Sequence, residues 1–322
     1  MVAATQGGAL RVVFLGTPQF AVPTLDALLR SRHAVVGVVT QPDRPRGRGQ
    51  RTTDAPIKAR ALEAGIPVLQ PDRLKDTEFL ERLDALNADL GVVAAYGRIL
   101  TEAVLALPAL GLINVHASLL PKYRGAAPVH RAIVAGEVET GVTIMRVVKA
   151  LDAGPMLATA ARPIGPDETS EEVERNLARL GADLLASTVD RLAAGPVEEV
   201  PQDEARATYA HRLIKDDGIV NWRRTASELH NLVRGLYPWP HAFTFHDGDR
   251  LILLRSSVLD DTQSTEQPGT IVEATGDRLE IVTGKAVLRI EALQAEGGRP
   301  MTVREFLPGH RLRRGERFTA AP

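Results

Sequence analysis

The sequence predicts a doubly wound, Rossmann-like α/β unit with a mostly parallel sheet, followed by a smaller C-terminal β barrel. Three observations carry that expectation. Short apolar runs alternate with helix-length stretches through the first half of the chain, the grammar of βαβ units. At 322 residues the chain is long for a single core, so two domains are expected. Beyond residue 210 the pattern changes to closely spaced strand-like runs separated by turn residues. We therefore expect residues 1–195 to form the α/β domain, 196–210 a polar, Pro-bearing linker, and 211–322 the barrel.

Leu10-Arg-Val-Val-Phe-Leu-Gly16 reads as a buried strand closing on glycine, and Thr17-Pro18 opens a helix that runs through Leu29. The turn between them, Gly16-Thr-Pro-Gln-Phe-Ala, lacks the G-x-G-x-x-G fingerprint, which makes a nicotinamide oxidoreductase the weakest reading. Ala34–Thr40 is the second strand. It leads into an unusual loop, residues 41–56, where Arg44, Arg46, Arg48 and Arg51 face only Asp43 and Asp54. Such a loop is either solvated surface or an arm that meets phosphates, because arginine forks pair with them and glycines let the backbone approach. A helix (57–64), a strand (66–70) and a helix (79–86) continue the alternation. Asp89–Tyr96 is a further strand, ending on Gly97.

The chemistry concentrates between Gly111 and Met156. Gly111–His116 reads as a short strand on which Asn114 and His116, two residues apart, share a face. A Pro- and Gly-bearing loop, 118–128, breaks the chain before the strand 141–148, and Asp152 stands just beyond. An amide, an imidazole and a carboxylate near strand ends suit acyl transfer: a base, a group that orients it, and a donor for an oxyanion. Taken singly, a histidine such as His116 in an apolar strand is more often a hydrogen-bonded core residue, and Asp152 reads equally as a turn residue. Tyr96-Gly97 and His116-Ala117 both fall at carboxyl ends of strands, where open parallel sheets bind ligands, so they are expected to border one cleft.

Residues 169–194 read as a long helix with Leu177, Leu180, Leu184 and Leu185 on its buried side. A helix at 225–235 then precedes the strand-like runs 242–246, 251–258, 269–274, 278–282 and 286–293. Tyr237-Pro-Trp-Pro240 reads as a rigid packing corner. Arg311–Arg317 reads as a solvated tail or a phosphate contact. There is no cysteine, which excludes disulfides, thiol catalysis and Cys-ligated metals. The formal charge of −1 means that any nucleic-acid contact must come from local patches. The small, uncharged N-terminus is no signal peptide, and no apolar run is long enough to cross a bilayer. A cytoplasmic enzyme or binding protein, acting as a monomer, is the default. His116 and His130 are not at helix-ligand spacing, so no metal is expected.

Taken together, the sequence resembles the methionyl-tRNA formyltransferases, and the resemblance covers nearly the whole chain. It is carried by Val13–Pro18, Thr40–Pro45 with Gly47-Arg-Gly49, Val93–Gly97, Ile113–Pro128, Glu139–Met145, Leu151–Met156 and Pro238-Trp-Pro240. The Asn-x-His-x-Ser-Leu-Leu-Pro segment alone identifies the wider formyltetrahydrofolate-using superfamily; the basic loop and the C-terminal barrel narrow it. The resemblance implies 10-formyltetrahydrofolate as donor, the α-amine of methionyl initiator tRNA as acceptor, and an OB-fold-like barrel that helps to hold tRNA. Residue by residue it implies Asn114, His116 and Asp152 as the catalytic set and Ser118, Leu119, Leu120 and Pro121 as folate contacts, to which the strand-end reading adds Tyr96 and Gly97. Arg44, Arg46, Arg48 and Arg51 then form the tRNA-binding loop. Ala117 stands where glycine is often found, which constrains the turn slightly. Asn114 and His116 would donate to the formyl oxygen, and Asp152 would hold the imidazole or take the amine's proton. Two rivals remain: formyl transfer to a small amine (a nucleotide intermediate or an amino sugar), and an RNA-binding relative whose active site is idle.

Overall fold

The computed structural model describes residues 8–43, 45–46, 51–52, 54–259 and 264–321. The described residues divide into two compact units: those within 1–128, 140–162 and 174–210, and those within 129–139, 163–173 and 211–322.

The first unit opens with β1 (Arg11–Gly16), buried over all but its first residue. Helix α1 (Val22–Arg30) begins with a proline in its first turn, where the missing N–H is not needed, and buries Leu25 and Leu28. Next come β2 (Ala34–Val39), the short ribbon strands β3 (Pro45–Arg46) and β4 (Arg51–Thr52), α2 (Pro56–Glu63) and β5 (Val68–Leu69). They are followed by α3 (Thr77–Asp84), β6 (Leu90–Ala94) and α4 (Glu102–Ala106), capped by the Thr101 side chain accepting from the Val104 N–H. The chain continues through β7 (Leu112–His116), β8 (Arg124–Gly125), α5 (Pro128–Val134, which belongs to the second unit from Val129 on), β9 (Glu139–Arg146), β10 (Met156–Pro163), α6 (Ser170–Ala194, in the first unit from residue 174 on) and β11 (Tyr209–Ala210).

The main sheet has the order β10-β9-β7-β6-β1-β2-β5. Strands β5, β2, β1, β6 and β7 are all parallel, while β9 runs antiparallel to β7. That is the doubly wound order, with the winding reversing between β1 and β6. Ligand crevices in such sheets open beyond the carboxyl ends of the strands at that reversal. Strand β10 was not legible in the sequence. It alternates across its length but buries only Leu157, and alanines supply much of the rest. Along α6, Leu177 and Leu185 are buried and Leu180 and Leu184 half-buried, which is the predicted face. No helix among the described residues is long and apolar enough to cross a membrane.

The second unit is built on an antiparallel sheet. After α7 (Ala226–Gly235), whose Thr225–Glu228 capping box seals its start, come β12 (Ala242–His246), β13 (Asp249–Leu259), β14 (Ile271–Thr275), β15 (Arg278–Val282), β16 (Val287–Ala295) and β17 (Met301–Thr302), then the single turn α8 (Val303–Phe306). The order is β12-β13-β16-β15-β14, with β17 on β16. The two open edges are joined by the C-terminal segment. Phe245 and Thr319 exchange backbone bonds at 3.0 and 2.9 Å, while Phe318 N–H donates to Gly269 and Ile271 N–H donates to Glu316. The basic run at 311–317 is therefore neither a loose tail nor wholly surface: its last residues close the sheet into a barrel and remove its edges. Trp222 locks this seam, donating its indole N–H to Thr244 Oγ1 at 3.0 Å and packing 5.7 Å from the Phe318 ring. Segments 129–139 and 163–173 join this unit by backbone contact. Arg234, on α7, donates to the carbonyls of Gly165 and Glu168, and Ser170 donates to the Tyr237 carbonyl.

Candidate active site

Strand β7 places Asn114 opposite Val93 of β6 and Met145 of β9, and His116 opposite Thr143. The period of two puts both polar side chains on one face of the sheet. Asn114 is half-buried, and its amide makes no hydrogen bond to another described residue. His116 is 5% exposed and held firmly. Its Nε2 lies 2.9 Å from the Tyr123 carbonyl oxygen, and its Nδ1 lies 3.7 Å from Asp152 Oδ2. A carbonyl oxygen can only accept, so Nε2 carries the hydrogen and Nδ1 is the lone-pair nitrogen of the neutral ring. The backbone of Tyr123, which sequence reasoning did not single out, is thus what orients the imidazole. Asp152 Oδ2 faces Nδ1 from beyond hydrogen-bond range.

Asp152 sits at φ 46°, a left-handed conformation that aspartate tolerates better than most residues. Its Oδ2 accepts the Gly125 N–H at 2.8 Å. Gly125 itself has φ 118°, and a Cβ there would lie 2.8 Å from the Ala210 carbonyl oxygen, so only glycine fits. Tyr123 (φ 61°) and Ala95 (φ 46°) add two more left-handed residues around the same strand ends. Backbone held in sparsely populated regions clusters where a structure positions functional groups. Ala117, by contrast, is not among the positive-φ residues, so alanine is accommodated there.

The loop 118–121 is a pinned scaffold. Ser118 is buried and donates its hydroxyl to the Lys122 carbonyl at 2.6 Å. The buried Thr143 hydroxyl donates to the Ser118 carbonyl at 2.8 Å and accepts the Leu120 N–H at 3.1 Å. The hydroxyl of Ser118 is therefore spent within the loop, and what 118–121 offers a ligand is the half-buried surface of Leu119 and Pro121. Tyr96 is buried as part of the core that also holds Leu15, Phe79 and Leu112. Burial pushes its phenol pKa upward, and Arg98 nearby offsets part of that shift. Its carbonyl accepts the Gln41 Nε2 at 2.7 Å and the Thr17 hydroxyl at 3.3 Å, which ties the ends of β1, β2 and β6 together. Gly97 is exposed beside it.

Of the basic loop, Arg44 and Arg48 lie outside the described residues, and Arg46 and Arg51 pair backbone to backbone in the β3–β4 ribbon. The base of the loop is clasped by one lysine. Lys58 donates to Asp43 on one side and lies 2.8 Å from Asp54 Oδ1 on the other. The Asp43 carboxylate is held below its usual range chiefly by that Lys58 bond.

Segment 196–210 is bound to the same site. β11 pairs in parallel with β8, and Arg124, 2% exposed, reaches the Glu204 carboxylate with two bonds of 2.9 and 2.7 Å. Gln202 and Glu204 carry no motif signal in the sequence, and Arg124, although within the 113–128 stretch, has no role assigned to it there. Among the described residues no group of three or more His, Cys, Asp and Glu could hold a metal ion. A cavity of about 470 Å³ in the second unit, lined in part by Asp167, His230, Arg234 and Arg255, contains none of the amide–imidazole–carboxylate set.

The doubly wound domain that carries this amide, imidazole and carboxylate is that of a formyl transferase. Residues 10–189 match the family model described as formyl transferase, and residues 212–311 match the formyl transferase C-terminal domain. The chain belongs to the methionyl-tRNA formyltransferase family. Curated relatives of that name include one from Acetivibrio thermocellus, 44% identical over 95% of this chain and 99% of its own length. Another, from Desulfotalea psychrophila, is 48% identical over 94% of each chain. Among solved structures, the N-formyltransferase from Helicobacter canadensis, in complex with folinic acid and dTDP-3-aminofucose, matches 87% of this chain and 98% of its own, with a TM-score of 0.69 at 20% identity. Glycinamide ribonucleotide transformylase 1 from Symbiobacterium toebii matches 62% of this chain and 96% of its own, with a TM-score of 0.52 at 24% identity. At those identities the structural likeness speaks for the fold.

Proposed function

We propose that this protein transfers the formyl group of 10-formyltetrahydrofolate to the α-amine of methionyl initiator tRNA, and that Asn114, His116 and Asp152 carry the transfer. The observation that carries the reading is the anchored imidazole. Nε2–H is committed to the Tyr123 carbonyl at 2.9 Å, so Nδ1 alone is left to take or give a proton, with a carboxylate 3.7 Å away and a free amide one strand period back. The names of the full-length relatives supply the acceptor, and the arginine loop at 41–56 is consistent with a phosphate-bearing one.

In this reading the neutral amine attacks the formyl carbon. A carbon–nitrogen bond forms to the acceptor, the bond to the folate nitrogen breaks, and one proton passes from the former nitrogen to the latter. Charge develops on the formyl oxygen. Asn114 is the neutral donor aimed at it, and removing one such donor typically costs about 10²–10³ in rate. His116 takes the proton at Nδ1 and returns it to the leaving nitrogen, and Asp152 stabilises the imidazolium while it exists. His116 donates to the oxygen only in that charged form, since its other N–H is already engaged. Leu119, Pro121 and the exposed Gly97 offer apolar and backbone surface for the folate.

The deciding assay is formyl transfer from 10-formyltetrahydrofolate to methionyl initiator tRNA, run beside elongator methionyl-tRNA, free methionine and an amino-sugar nucleotide. Preference for the initiator supports the proposal. Equal or faster transfer to the small amine would move the function to that class, and no transfer to any acceptor would leave an idle relative.

A further inference from the structure

We infer that Gln202 is a positioning residue for the reaction: its side-chain amide sets where the Asp152 carboxylate stands relative to His116. Gln202 belongs to 196–210, and every hydrogen-bonding position it uses is directed at this site. Its Nε2 donates to the Asp152 carbonyl at 2.8 Å and to the Gly154 carbonyl at 2.7 Å. Its Oε1 accepts from Arg124 Nε at 3.0 Å and from the Arg124 terminal nitrogen at 2.8 Å. Arg124 is buried and fixed in turn by two bonds to Glu204. An amide has two N–H donors, and here both end on carbonyls of the turn that carries Asp152.

That turn needs holding. Asp152 is left-handed at φ 46°, a conformation that leaves its peptide groups facing away from the orientation a relaxed chain would choose. Gly154 is packed so tightly that a Cβ would lie 1.9 Å from the Arg146 carbonyl oxygen, so the turn cannot slide to compensate. The carboxylate is steered from the front by the Gly125 N–H and the peptide is held from behind by Gln202. Both holds trace to one short parallel pairing, because Arg124 and Gly125 form β8 and pair with Tyr209 and Ala210. A segment that composition marks as a spacer therefore braces the catalytic carboxylate. A misplacement of about 1 Å far from the reacting atoms can cost on the order of 10² in rate.

The inference rests on the reading of Asp152 as a member of the transfer site, and the test separates the two. Steady-state kinetics would be measured for the full chain carrying Gln202→Glu, Gln202→Met and, separately, Asp152→Asn, with folate and tRNA varied in turn. Gln202→Glu keeps an acceptor for Arg124 and removes both donors to the turn. If Gln202 acts through Asp152, Gln202→Glu and Gln202→Met both lower kcat about 10- to 100-fold with KM for the folate within about twofold. If Gln202 merely satisfies Arg124, Gln202→Glu turns over like the parent, and the inference is overturned even if Gln202→Met is poorly folded. Parental turnover by Asp152→Asn would instead remove the underlying reading.

Discussion

Replacing Asp152 by asparagine separates charge from shape at this site. Asparagine has the same size, tolerates the left-handed φ of 46°, and still offers an oxygen to the Gly125 N–H now 2.8 Å away. What disappears is one negative charge 3.7 Å from His116 Nδ1, between side chains that are 6% and 17% exposed. At an effective dielectric of ~20, two unit charges at that distance attract by about 4 kcal/mol. If the imidazolium forms in the rate-limiting step and the aspartate stabilises it fully, kcat falls by about three orders of magnitude. Partial solvent screening makes two orders the lower expectation. Steady-state formyl transfer with folate and tRNA varied in turn reads kcat and KM, and thermal unfolding checks that the variant is intact. A folded Asp152→Asn protein within about fivefold of the parental kcat would refute the electrostatic role. A loss confined to KM would show that the carboxylate binds substrate instead.

Other expectations concern the rest of the molecule. Arg48→Ala should raise KM for tRNA and flatten its dependence on salt, with KM for the folate unchanged; equal loss of folate affinity would mean that the loop serves the pocket. Gly125→Ala should lower both the unfolding temperature and turnover, because its Cβ meets the Ala210 carbonyl and φ 118° is closed to it; a fully stable, active variant would contradict the pairing of β8 with β11. Burial, with Arg131 beside it, pushes His130 down to about 4 from its ordinary 6.5. The unfolded chain therefore binds the extra proton first as pH falls, and stability should drop by up to about 3 kcal/mol between pH 6.5 and 4. Denaturant titrations of the parent and of His130→Gln across that window measure it, and identical slopes in the two would dismiss the assignment.

Local pattern was enough to determine a good deal here. The apolar runs at 10–16, 34–40, 89–96 and 111–116 became the parallel strands, since a strand buried on both faces must be apolar along its length. Asn114 and His116 share a face because the strand period of two is local geometry. The run of barrel strands after residue 240 was equally legible from its turns. Tertiary structure decided the rest. Which imidazole nitrogen is free depends on a carbonyl seven residues away in a loop whose path no periodicity encodes. The closure of the barrel by 315–319 depends on pairings as distant in sequence as that of Phe245 with Thr319, 74 residues apart. Residues 196–210 look like a spacer because they are polar and bear prolines. Yet Gln202 and Glu204 are polar for the opposite reason, their bonds being spent on Arg124 and on the Asp152 turn about 50–80 residues back, and Tyr209-Ala210 pair with β8. Sequence composition records that a residue can make hydrogen bonds, and only the folded chain fixes where they end.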